Sequence, residues 1–139
     1  AEYDWIPVRF LYRSYEYEQL AKFYRQADVC LVTSLRDGMN LVAKEFVACQ
    51  NPSDPGVLVL SRFAGASEEL DKAVIINPYS AEDIAKGIYI ALTMKSKEKK
   101  ARHQYLFKKV QENNIYNWGT RFIEDLKTAY SASITNLNP

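Results

Sequence analysis

Short continuous apolar runs alternate with longer stretches of helical period along this chain, and that alternation already predicts an architecture. Ile6 to Leu11 reads as a short strand, with Pro7 near its start, where a missing N–H does least harm. Tyr17 to Ala27 carries Leu20, Ala21, Phe23, Tyr24 and Ala27 at helical spacing. Val29 to Val32 is an unbroken apolar run, the signature of a strand buried on both faces of a parallel sheet. Thr33 to Gly38 then reads as a polar turn, Asn40 to Gln50 as a helix, and Asn51 to Gly56 as a loop. The alternation repeats with a strand at Val57 to Leu60, a short helix at Gly65 to Leu70, and a strand at Ala73 to Ile76 closed by Asn77-Pro78. Ser80 is a good N-cap for the next helix, with Glu82 and Asp83 in the first turn, where negative charge is favourable. Ser96 to Asn114 and Ile115 to Tyr130 read as further helices, the second bearing Trp118, Phe122, Ile123 and Leu126, and Ser131 to Pro139 as a polar, frayed tail.

Strands alternating with helices imply right-handed crossovers and a parallel, doubly wound sheet over residues 1–130, with 131–139 as the tail. A length of 139 residues suits one domain, and 13% aromatic residues within 47% apolar supply a substantial core. Eighteen basic against seventeen acidic residues leave a net charge of +1, so neither nucleic acid nor an anionic membrane is expected as a partner. The basic segment Lys95, Lys97, Lys99, Lys100 and Arg102, joined by Lys108 and Lys109, has the spacing of a solvated helix face. No apolar run approaches the length of a membrane span, and the polar, acidic start from Ala1 to Asp4 does not resemble a signal peptide. Cys30 and Cys49 share no metal or redox spacing and read as buried free thiols, which suits a reducing cytoplasm. His103 stands without a nucleophile or carboxylate near it in sequence and reads as a surface residue.

Ligands of such sheets bind beyond the carboxyl ends of the strands, which directs attention to residues 33–40, 61–66 and 77–80. In the first stretch, Gly38 lets the backbone turn and approach a ligand without a Cβ in the way. The helix that follows offers the unpaired N–H groups of Met39, Asn40, Leu41 and Val42 to a phosphate or a sugar. Asp37 is placed to accept hydrogen bonds from sugar hydroxyls at that mouth. Glu45 projects within about 60° of Leu41, Val42, Ala48 and Cys49 on a helical wheel. A carboxylate on an apolar face is costly unless something donates to it, and two adjacent ribose hydroxyls form a natural bidentate pair. The wheel alone equally allows, and indeed favours, a Glu that swings to the surface or pairs with a nearby arginine. In the second stretch, Gly65 and Ala66 permit close backbone approach, while Glu68 and Glu69 are first-turn helix residues rather than catalytic acids.

The uninterrupted run from Leu35 to Glu45 resembles the signature of the trehalose-6-phosphate synthases, glycosyltransferase family 20. The segments Pro55 to Ala66 and Ile75 to Tyr79 match the same family in the same order, with Arg13-Ser14-Tyr15 and Trp118 also fitting, so the likeness runs from about Trp5 to Lys127. It implies a Rossmann-like parallel sheet with flanking helices, the C-terminal, nucleotide-sugar-binding lobe of a two-lobed GT-B glycosyltransferase. It also implies a retaining transfer of glucose from UDP-glucose to glucose 6-phosphate, giving trehalose 6-phosphate and UDP, with no metal or other cofactor. Related scaffolds use ADP- or GDP-glucose or another acceptor, and a non-catalytic interaction module is the alternative from another class. In the family's pattern Asp37 holds a donor-glucose hydroxyl as the catalytic-site acid. The backbone from Gly38 through Met39, Asn40, Leu41 and Val42 meets sugar and diphosphate, Glu45 takes the ribose hydroxyls, and the turn at Ser14 and Tyr15 lies against the base. The family's diphosphate clamp and its acceptor lobe are expected before position 1, so turnover by this chain alone is not expected, and the sheet is expected to expose an edge. The sequence leaves a homo-oligomer open.

Overall fold

A computed structural model describes residues 6–135. The elements run in the order α1 (Tyr17–Gln26), β1 (Val29–Val32), α2 (Leu41–Cys49), β2 (Val57–Ser61), α3 (Ala66–Glu69), β3 (Val74–Ile76), α4 (Ala81–Thr93), α5 (Ser96–Glu112) and α6 (Ile115–Thr135). The strands form a parallel sheet in the order β1-β2-β3, with Val29 beside Val57 and Val59 beside Val74. The alternation read from the sequence therefore folds as a parallel α/β unit, with the three strands and helices α1, α2, α3 and α5 within a residue or two of their expected bounds and α4 starting beside its expected cap.

The central strand explains why the sequence could be so uniformly apolar there. Every residue of β2 is buried, and alternate side chains feed opposite layers. Leu58 and Leu60 join Val32, Ala43, Phe46, Val47 and Leu106 in a core beneath α2 and α5, whereas Val57 and Val59 join Val74, Ile76, Ala91 and Met94 beneath α4. Full burial of side chains of this size stabilises by about 1.5–3 kcal/mol each, so both layers hang on this strand.

Both neighbours of β2 are edge strands among the described residues, and Leu31 of β1 remains 42% exposed. Residues 6–11, expected to be a strand, form no regular element, and Ile6, Val8, Phe10 and Leu11 are exposed. The reason is that period-two apolarity signals fitness for a sheet, but a strand exists only where a neighbour pairs its N–H and C=O groups. At the other end α6 continues to Thr135, so helix reaches into the predicted tail; residues 136–139 lie outside the described part. Trp118, Phe122, Ile123 and Leu126 of α6 are all about half-exposed. No helix among the described residues is long and apolar enough to cross a membrane.

Candidate functional site

The loop between β1 and α2 is built around Asp37. Its main chain adds an isolated parallel bridge beyond the end of the sheet: Asp37 N donates to Phe63 O at 3.1 Å, and Gly65 N donates to Asp37 O at 2.9 Å. Ala66 N then donates to Met39 O at 2.6 Å, so the two loops at the carboxyl ends of β1 and β2 are laced together. The approach is so close that a Cβ on Gly65 would lie 2.1 Å from Gly38 O. At Gly38, by contrast, an added Cβ would meet nothing within 4 Å, and its φ is not positive. The close backbone approach expected of Gly65 is thus made to Gly38, and the sharp turn expected of Gly38 is made elsewhere.

That turn falls at Asn40, the one positive-φ residue other than glycine among the described residues, with φ 78° and ψ 89°. Asparagine tolerates this left-handed region because its short polar side chain bonds locally. Here Asn40 Oδ1 accepts from Ala43 N at 2.9 Å as the N-cap of α2, while Asn40 Nδ2 donates to Asp37 Oδ2 at 3.0 Å. Asp37 Oδ1 accepts from Met39 N at 3.1 Å. The backbone donation from Met39, then that of the Asn40 amide, hold the Asp37 carboxyl below its ordinary value of 3.8. Asp37 is therefore an ionised acceptor, oriented by its own loop and with lone pairs to spare.

One expected donor is corrected by this geometry: the Met39 N–H is turned back onto Asp37 rather than left open. The N–H groups of Leu41 and Val42, in the first turn of α2, have no partner among the described residues. The side chains of Leu41 and Val42 are exposed, at 60% and 42%, as is Gly38. Leu41 and Met39 line an open apolar hollow of about 290 Å³ together with Val110, Ile115 and Trp118. Lys44 reaches from α2 to Glu69 of α3 in a 2.8 Å ion pair, which gives Glu69 the structural part expected of it.

Glu45 is half-buried and accepts a hydrogen bond at Oε2 from Tyr24 Oη at 3.3 Å. The nearby arginine does not take it, since Arg25 donates instead to Cys49 O at 3.4 Å. Tyr15, just ahead of α1, lies edge-on to Phe23 at 5.1 Å beneath the Arg13 guanidinium, and its hydroxyl is buried with no partner among the described residues. Ser34 Oγ, at the carboxyl end of β1, is buried and unpartnered in the same way. No group of acidic, histidine or cysteine side chains among the described residues is arranged to hold a metal ion.

Residues 1–128 match the sequence model of glycosyltransferase family 20. This chain belongs to that family. Among its family 20 relatives, the trehalose-6-phosphate synthase of Klebsiella pneumoniae is 50% identical over 88% of this chain and 26% of its own length. The UDP-forming trehalose-phosphate synthase of Burkholderia xenovorans, solved in complex with glucose-6-phosphate, superposes with a TM-score of 0.86 at 49% identity, covering 91% of this chain and 28% of that one. The E. coli structure bound with UDP-2-fluoro glucose superposes with a TM-score of 0.84, also at 49% identity, covering 88% and 27%. The fold is accordingly that of a part of these GT-B enzymes, and the chain spans between 26% and 28% of their length.

Against the family 20 pattern, sequence reasoning missed how the site is held. Tyr24 was a core position of α1, with nothing to mark it as the partner of a carboxylate 21 residues away. His103, expected at the surface, is only 6% exposed, and its Nε2–H donates to Val47 O at 3.1 Å. Val47 lies in the last turn of α2, whose carbonyls lack helical partners, and a donor from α5 satisfies one of them. The apolar positions Leu106 and Phe107 beside His103 were the available signal that this face of α5 is buried.

Proposed function

We propose that this chain is the donor-binding part of a trehalose-6-phosphate synthase, which transfers glucose from UDP-glucose to glucose 6-phosphate with retention, giving trehalose 6-phosphate and UDP. The observation that carries this reading is the pairing of a preorganised acidic loop at the carboxyl end of β1 with a 49% identical, equally folded relative bound with UDP-2-fluoro glucose. Asp37, fixed as an ionised acceptor, takes a hydroxyl of the donor glucose. Gly38 leaves room for the sugar, and the backbone of Met39, Asn40, Leu41 and Val42 meets sugar and diphosphate, with the open N–H groups of Leu41 and Val42 at the positive end of α2. Glu45 accepts the ribose hydroxyls, and Tyr15 lies against the base, where its buried hydroxyl finds a partner.

In the transfer, the bond from the glucose anomeric carbon to UDP breaks and one to the acceptor oxygen forms, the acceptor proton leaving with the departing phosphate. Such a transfer depends on holding negative charge as it develops on the diphosphate, and fixed backbone donors serve that without any metal or other cofactor. The acceptor site and the diphosphate clamp belong, on this reading, to those parts of the relatives that this chain does not cover, so the chain binds donor without turning it over. The free thiols Cys30 and Cys49 suit a reducing cytoplasm. Titration calorimetry with UDP-, ADP- and GDP-glucose tests the reading. Saturable binding that prefers the uracil nucleotide and weakens at least about tenfold in Glu45→Ala is expected. Binding that ignores the base and survives the substitution would refute it.

A further inference from the structure

We propose that Tyr24 is a positioning residue of the nucleotide-sugar site, its hydroxyl orienting the Glu45 carboxylate toward the ribose hydroxyls. The inference rests on the reading of Glu45 as the ribose acceptor and adds a residue to it.

A half-buried glutamate in the middle of a helix has three soft side-chain torsions, and without a partner nothing selects one of them. Glu45 has no cation partner among the described residues, and Tyr24 Oη, at 3.3 Å from Oε2, is its one protein donor there. The tyrosine is anchored independently of that bond. Its ring meets the buried Phe46 edge-on, with centroids 6.4 Å apart, and packs against the core beneath α2. Its carbonyl accepts from Gln50 Nε2, and Gln50, only 4% exposed, is fixed in turn by Gly56 N donating to its Oε1 at 2.7 Å. The hydroxyl thus projects from a rigid seam between α1 and α2, and it engages one carboxylate oxygen while leaving Oε1 without a protein donor.

Two adjacent ribose hydroxyls need both carboxylate oxygens presented in one plane, and a fixed donor behind one oxygen sets that plane. Burial, and then the Glu45 charge, push the Tyr24 phenol up to about 12, so it stays protonated and donating at neutral pH. A merely structural tyrosine would affect all ligands alike. A positioning one acts only on ligands that carry ribose hydroxyls.

Nuclear magnetic resonance titration of this chain with UDP and with 2′,3′-dideoxy-UDP separates the two. The parent is expected to prefer UDP by about tenfold, Glu45→Ala to lose that preference, and Tyr24→Phe to cut it at least about threefold while binding dideoxy-UDP as the parent does. Tyr24→Phe keeps the ring against Phe46, and thermal unfolding within a few degrees of the parent verifies its fold. Unchanged preference in Tyr24→Phe, or equal weakening of both nucleotides, overturns the positioning role while the Glu45 reading stands. A parent without preference, or a Glu45→Ala that retains it, overturns the ribose reading and this inference with it.

Discussion

The β1–α2 loop and the α1–α2 seam each present one carboxylate, and they hold it by opposite means. Asp37 is fixed by donors two and three residues away, Met39 N and Asn40 Nδ2, within one continuous stretch of chain. Glu45 is met by a hydroxyl 21 residues away on another helix. The first arrangement comes with its segment once that segment is docked on the next loop. The second exists only when two helices are already packed. Local sequence therefore encodes the first, and tertiary packing the second.

The strongest way to break the loop is to leave its polar groups alone and deny it the approach that docks it. Gly65→Ala sets a methyl group where Gly38 O lies 2.1 Å away, and backbone cannot swing aside as a side chain can. A loss of about 3 kcal/mol in denaturant unfolding is expected, at the upper end of overpacking costs, with the α1–α2 seam keeping its tyrosine signals. Asn40→Ala comes next. It removes the cap of α2 and places a Cβ residue without local bonding at φ 78°, for a combined loss of about 2 kcal/mol. Asn40→Gly, at ease in that conformation, should lose about half as much by the same measurement.

The smallest effect concerns acid, and it sharpens the contrast. Because the folded loop holds the Asp37 carboxyl below 3.8, the stability it lends is fully present above that value and is lost as pH falls through the lower folded one. Carboxyl-carbon resonances followed from pH 6 downward should show Asp37 titrating below 3.8 in the parent and returning toward it in Asn40→Ala. A midpoint unmoved by the substitution would mean that Asn40 does not help to hold the charge.

These contrasts also explain what could be read from the chain. The strands from Val29 and Val57, the helix capped by Ser80 and the run around Asp37 were legible because apolar period, caps and turn residues act over a few positions. Glu45 was legible as a carboxylate on an apolar flank, yet its partner was not, since no pattern in α1 marks which tyrosine will face it. His103 was misplaced for the same reason: its polarity argued for solvent, whereas a helix end on another element needed its proton. Residues 6–11 erred the other way, being apolar enough for a strand that has no paired neighbour among the described residues.

The two glycines of the laced loops lie almost in contact, yet they answer to different constraints. Position 65 has no room for any side chain, because the wall it faces is main chain. Position 38 has no positive φ and open space in front of it, so neither backbone conformation nor crowding demands glycine there. A lineage drifting under selection for folding alone would keep the first glycine and shed the second. A demand for glycine at position 38 would have to come from outside the folded chain, from a ligand seated against it.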